Sequence, residues 1–97
     1  MDGHLPAHSV RDNREANRFE LLVDDRVIGI LDYRDFGDHV VMPHTVIDVS
    51  HRGQGWGDVL VRAALDEMRA RAKRVIPQCW FVADYIELHP EFETLVV

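Results

Sequence analysis

The chain has 97 residues, with 46% hydrophobic and 29% charged residues and a net charge of −6. That length bounds it to one small domain around one core, and the acidic balance argues against a nucleic-acid footprint. A single cysteine excludes an internal disulfide. With no apolar run near the ~20 residues of a membrane span and no signal-peptide pattern, the expectation is a cytoplasmic protein without a membrane partner.

Residues 1–16 are polar, carry Gly3 and Pro6 and lack periodicity. They read as a mobile tail, which sets the domain at residues 17–97. Arg18 to Asp24 reads as a first strand, and Asp24-Asp25 as a turn into a second, Arg26 to Tyr33. Asp35-Phe36-Gly37-Asp38 supplies the next turn. His39 to Met42 and His44 to Val49 form a third and a fourth strand, with Pro43 marking a break or an edge position between them. A helix follows from about Trp56 to Lys73. Leu60, Ala64 and Met68 make its apolar stripe, with Val61 and Leu65 beside it, while Asp66, Arg69 and Arg71 face water. The basic run Arg69, Arg71, Lys73 and Arg74 reads as the complement of a helix C-terminus rather than as a polyanion site. Val75-Ile76 is a short buried strand ended by Pro77. A second helix runs from Cys79 to about His89 and stops at Pro90. Thr94 to Val97 is apolar and forms an edge strand or packs on the core. The order β-β-β-β-α-β-α predicts an α+β fold: a mostly antiparallel sheet whose crossover helix returns the chain to a parallel neighbour.

The densest local signal is the passage Val46-Ile47-Asp48-Val49-Ser50-His51-Arg52-Gly53-Gln54-Gly55-Trp56-Gly57, which leads from an apolar segment through three glycines into the first helix. Glycines let backbone N–H groups turn toward a ligand, and the helix that follows aims its positive end at the same place. A Walker A loop is excluded, because Asp58-Val59 stand where Lys-Ser/Thr is needed. The dinucleotide fingerprint is excluded by the Gly53-x-Gly55-x-Gly57 spacing and by the order of elements. Two readings stay open: a loop for phosphate or pyrophosphate, and a turn that only permits tight strand-to-helix packing. Asp58 puts a carboxylate into the first helical turn, where Asp is also an ordinary residue.

The pattern Arg52-x-x-Gly55-x-Gly57 resembles the acyl-CoA pyrophosphate loop of the GCN5-related N-acetyltransferases (GNAT). A second signature, Val75-Ile76-Pro77-x-Cys79-x-Phe81-Val82-x-x-Tyr85-Ile86-x-x-His89-Pro90-Glu91-Phe92-x-x-Leu95-Val96, resembles the C-terminal half of the minimal, YjdJ-type branch of that superfamily. So does the pair His44-Thr45. The resemblance covers roughly residues 18–96 and implies a truncated GNAT-like fold with acetyl-CoA as co-substrate. It places the pantetheine arm between splayed strands at Ile47 to Val49 and Val75 to Ile76. The backbone of Arg52, Gly53, Gln54, Gly55, Trp56, Gly57 and Asp58 would cradle the pyrophosphate, and Ile47, Asp48, Val49 and Cys79 would complete the cofactor contacts. The chain departs from the pattern at Val46, where a typical member has Glu, and at Trp56 and Asp58, where smaller or aliphatic residues are usual.

Acetyl transfer from a thioester to an amine needs a proton acceptor for the amine, donors for the oxyanion and a proton for the departing thiolate. Backbone amides near Ile47 to Val49 are candidate oxyanion donors, and Asp48 is the nearest carboxylate to stand in for the missing Glu. Cys79 opens a helix, a position that favours thiolate, so it is a candidate acyl acceptor or a contact of the CoA sulfur. Tyr85 is a candidate acid through the resemblance, against packing with its hydroxyl bonded; His44 is a candidate base, against a strand-edge histidine. His51 reads as an exposed loop residue and His89 as a helix stop. Trp56 and Trp80 either stack on CoA or cap the core. No metal-ligand spacing and no Ser/His/Asp triad is legible. The function expected is N-acetyltransfer from acetyl-CoA to an unidentified amine, on a small molecule or a protein. The alternatives are a non-catalytic CoA or acyl-CoA-binding or protein-interaction module and a purely structural domain. Oligomeric state stays open, since Leu95-Val96-Val97 could pack on its own core or on another chain.

Overall fold

The computed structural model describes residues 5–97; residues 1–4, the start of the predicted tail, lie outside that range. The strands are β1 (His8–Asn13), β2 (Arg18–Val23), β3 (Arg26–Asp35), β4 (His39–Ile47) and β5 (Arg74–Ile76), and the helices are α1 (Trp56–Ala70) and α2 (Trp80–Leu88). Short 3-10 turns occupy Val49–His51 and Pro90–Leu95. One sheet runs β1-β2-β3-β4-β5, antiparallel except for the β4–β5 pair that α1 crosses over to close. The predicted element order holds, although different strands fill it at the N-terminal end.

The expected tail is the first correction: β1 pairs with β2 along its whole length, from His8↔Val23 to Asn13↔Arg18. Its polar composition concealed it, because Val10 is its one aliphatic residue. Side chains alternate across a strand, and the polar ones here find partners in place of apolar packing. Arg11 Nε donates to Glu20 at 2.7 Å and Asn13 Nδ2 to the same carboxylate at 3.1 Å. On the other face Asp12 accepts from the Tyr33 hydroxyl at 2.6 Å and from Arg71 at 2.8 Å.

The second correction is Pro43, which breaks nothing. The ladder passes from Asp32↔His44 to Arg34↔Val41, so β4 carries an additional residue at Met42-Pro43. An unpaired bulge position asks for no N–H, which is why proline is tolerated inside the strand.

Register sorts the sheet into rows, since directly opposed residues share a face. Val10, Leu21, Gly29 and Ile47 form one row, and Asp12, Phe19, Leu31 and Thr45 the next. This is the face of the core, where Phe19, Leu21, Leu31 and Met42 meet Trp56, Leu60, Val61, Ala64, Leu65 and Met68 of α1 and Val82, Tyr85 and Ile86 of α2. The rows Arg11–Glu20–Ile30–Val46 and Asn13–Arg18–Asp32–His44 lie on the opposite face.

Helix α1 ends at Ala70, short of Lys73, because the chain turns through left-handed Ala72 (φ 56°) and the Lys73 amide closes on Met68 O at 2.9 Å. The basic run beyond is tied to the fold: Arg69 to Glu91 O, Lys73 to Asp35 and Arg74 to Val96 O, besides the Arg71 pairs with Asp12 and Glu67. The predicted last strand reduces to one parallel bridge, Val75↔Val96, while Leu95 packs into the core.

Candidate functional site

The chain leaves the sheet after Ile47. The Asp48 amide donates to Ile28 O at 2.7 Å, so it is not a free oxyanion donor, and Val49 belongs to the 3-10 turn rather than to β4. Gly53 (φ 77°) and Gly55 (φ 89°) then adopt left-handed backbone conformations that L side chains rarely take. Gly55 is the N-cap of α1 and no side chain caps that helix. The first amides of α1 therefore lack intrahelical acceptors and point outward with the positive end of the dipole, a geometry that receives anions. Local bonds hold the loop in place. Arg52 Nε donates to Ile47 O at 3.0 Å and Trp56 Nε1 to the Gln54 side chain at 3.2 Å. Arg52, Gly53, Gln54, Gly55 and Asp58 are exposed around it.

The two readings of the glycines divide by residue. Gly53 and Gly55 serve loop conformation. Gly57 serves packing: a Cβ there would meet Phe81 Cζ at 2.6 Å, so glycine lets the starts of α1 and α2 approach each other. Trp56 is buried, with the His8 ring edge-on at 5.1 Å, and of its two readings the core one holds. Trp80 is 75% exposed beside Cys79.

A second feature lies next to the loop. β4 and β5 pair only at His39↔Arg74, Val40↔Val75 and Val41↔Ile76, and the bulge together with Pro77 ends the pairing. β4 continues to Ile47 without β5 beside it, leaving a notch whose far wall is the start of α2. Cys79 sits in that wall as the N-cap of α2. Its amide donates to Met42 O at 2.9 Å and its thiol reaches Thr45 Oγ1 at 3.5 Å. Burial pushes the thiol pKa up, but Thr45 and the amides of Val82 and Phe81 outweigh it, and the net shift is downward.

The remaining candidates separate. Asp48 is exposed and accepts from Ser50 Oγ at 2.7 Å, with His51 Nδ1 at 3.3 Å. These partners hold its carboxyl below the usual range, which makes it a weaker base than the sequence position suggested. Tyr85 is buried; its hydroxyl accepts from Arg62 of α1 at 3.5 Å and its ring stacks on His89 at 3.9 Å. The structure thus gives Tyr85 partners on α1 and at the end of α2, apart from the Cys79–Thr45 pair. His89 caps α2 through Nδ1 to Tyr85 O at 2.8 Å, as a helix stop should. His44 lies on the open sheet face with its side chain 72% exposed and its Nδ1 3.9 Å from Asp32 Oδ2. Among the described residues no group of three or more His, Cys, Asp or Glu side chains is gathered as metal ligands would be.

Sequence reasoning missed Thr45 as the partner of Cys79 and Asp32 as the neighbour of His44. Thr45 and Cys79 are far apart in the chain, and no local pattern announces a contact made between one strand and the start of a helix.

The family model of the GCN5-related N-acetyl-transferases matches residues 18–95. No curated protein matches the chain in sequence. Among solved structures, the NMR solution structure of a GCN5-like protein from Staphylococcus aureus matches with a TM-score of 0.69, over 92% of this chain and 87% of that one, at 19% identity. At that identity the likeness establishes a shared fold.

Proposed function

The chain belongs to the GCN5-related N-acetyltransferases, and on that premise we propose that it transfers the acetyl group of acetyl-CoA to an amine. The observation that carries this reading is the uncapped start of α1 at Gly55, standing beside the notch where β4 runs on without β5. Backbone amides from Arg52 to Asp58 hold the pyrophosphate, with Gly53 and Gly55 giving the approach. The pantetheine arm lies along the β4 edge near Ile47, Asp48 and Val49 and brings the thioester toward Cys79.

Direct attack is the simplest chemistry for this geometry. The amine forms the N–C bond, the C–S bond breaks with its electron pair on the CoA sulfur, and the amine proton passes through a base to that sulfur. His44 is the base this reading selects, because the hydrogen bonds of Asp48 lower its carboxyl pKa and weaken it as a base. Thr45 and the α2 amides that favour thiolate at Cys79 would equally favour a thiolate arriving beside it.

Calorimetric titration with acetyl-CoA and CoA, with dephospho-CoA and ATP as controls, tests the cofactor. Saturable binding that prefers the CoA species, followed by CoA release with amines, is expected; no binding up to millimolar ligand would overturn the reading. Val46 supports a second reading, a CoA-binding module without catalysis, since it leaves the outer face of β4 without the usual carboxylate. Bound CoA with no turnover across a broad amine panel would select it.

A further inference from the structure

On the sheet face opposite α1, the Asn13–Arg18–Asp32–His44 row ends at a cleft of about 270 Å³ lined by Asn17, Asp32, Arg34, Pro43 and His44 among others. It opens at the β4 bulge, where Met42-Pro43 oppose Tyr33 and the two strands fall out of step. One wall carries the Asp32 carboxylate and the His44 imidazole, 3.9 Å apart and both accessible. Another carries the exposed Arg34 guanidinium. Arg11, Arg14, Arg18, Arg62 and Arg71 are all paired with carboxylates, whereas among the described residues Arg34 enters no ion pair, as Arg26, Arg52, Arg69 and Arg74 also do not. Of these it is Arg34 that lines the cleft. A carboxylate with a base on one side and an uncommitted guanidinium on the other match the two ends of a zwitterion.

We propose that this cleft is the acceptor subsite and that its ligand is a small amino-carboxylate of free amino-acid type, its amine toward Asp32 and His44 and its carboxylate on Arg34. The proposal rests on the acetyl-transfer reading. The cleft, at about 270 Å³, is below the ~300–1,000 Å³ usual for ligand pockets and is open to solvent, which limits it to a small ligand. Its Asp32 and His44 side chains leave the sheet on the face opposite Thr45, the residue that touches Cys79. In this reading the amine therefore meets the thioester at the notch where β4 runs on without β5 and the edge of the sheet is open. His44 takes the proton from the amine, the nitrogen lone pair forms the N–C bond, the C–S bond breaks onto the CoA sulfur, and the proton ends on that sulfur. Asp32 is a positioning residue for the imidazolium formed in between. Arg34 reads the carboxylate and so sets specificity.

The test compares α-amino acids with their own carboxamides, which keep the amine and lose the carboxylate. The acid form is expected to be preferred by about tenfold or more in kcat/KM, the size of one charge-assisted contact. Arg34→Ala should bring the ratio close to one through KM, leave turnover of the carboxamide intact and leave CoA affinity unchanged, and Arg34→Lys should restore part of the preference. A preference that survives Arg34→Ala, or a preference for carboxamides or polyamines, overturns the proposal. Amide NMR shifts give a readout that needs no turnover. Glycine or glutamate titrated into the protein, with and without CoA, should move the Asp32, Arg34 and His44 signals; unmoved signals overturn the subsite. Failure of CoA binding would instead strike the acetyl-transfer reading.

Discussion

The two helices begin alike and do different work. Both α1 and α2 start without a side-chain cap, so each leaves its first amides to whatever lies in front of it. α1 is entered through a left-handed glycine, and its loop is open to solvent on all sides but the core. α2 is entered through Cys79 in extended conformation, buried and bonded to the β4 bulge by its own amide. One start is shaped to receive a polyanion from water, the other to steady a single sulfur inside a notch. A packing device joins them, because Gly57 leaves room for the Phe81 ring. The difference teaches that a helix end becomes a site through how the chain arrives at it.

The sharpest way to break that comparison is to change the arrival at α1. Gly55→Asp puts a carboxylate where the proposed reading holds a pyrophosphate, and Asp is among the residues that tolerate a left-handed backbone. CoA affinity should fall roughly 100-fold, or about 2.7 kcal/mol, by calorimetry. Cooperative unfolding should persist at a cost of ~1 kcal/mol for the backbone strain. Gly55→Asn, which keeps shape and conformation without the charge, should lose much less affinity. Equal losses in the two variants would show that conformation, not the field of the helix end, governs the site.

The start of α1 was legible in the chain because all of its determinants lie within a few residues: the glycines, the apolar segment before them and the stripe of Leu60, Ala64 and Met68 behind. The start of α2 was legible only in part. Pro77 and Cys79 marked a boundary, but Thr45, Met42 and the bulge that presents them belong to another strand, and Pro43 read as a break because proline in a strand argues for one until the register is known. β1 stayed hidden for a related reason. Its side chains are satisfied by Glu20, Tyr33 and Arg71, none of which is near it in sequence, so polarity read as tail. The base role offered to Asp48 was proximity in sequence, and Ser50 and His51, closer still, lower the pKa of that carboxyl and weaken it as a base.

At α2 the comparison is sharpened by removing the partner and keeping the fold. Thr45→Val is nearly isosteric and deletes the one side-chain hydrogen bond of the Cys79 thiol. The thiol pKa lies below its ordinary value because the bond and the α2 amides together overcome burial. With the bond gone, burial counts for more and the pKa should rise. The thiolate ultraviolet absorbance followed against pH measures this directly, and Thr45→Ser should return the midpoint toward the parent value. A midpoint that does not move would mean that the helix start alone sets the thiol.

The smallest effect belongs to a place that neither helix start touches, and it separates stability from ligand binding. Glu20 is buried on the outer sheet face under Arg11, Arg18 and Asn13. Burial raises its pKa, yet the hydrogen bonds from Arg11, Asn13 and Arg18 win and bring it from 4.5 down to about 2. A carboxylate whose folded pKa is depressed stabilises the fold above its unfolded pKa, and that contribution disappears as pH falls through the folded value. Stability should therefore decline between pH 4.5 and about 2 in part through this residue. Glu20→Gln keeps the shape and removes the titration. Its urea midpoint should lie below the parent's at neutral pH, by ~1 kcal/mol because the arginines stay partly in water. The two curves should then converge as acid protonates the parent, while CoA binding at neutral pH stays the same in both. Parallel curves down to the acid limit would show that the cluster neutralises Arg11 and Arg18 without contributing to the pH dependence of the fold.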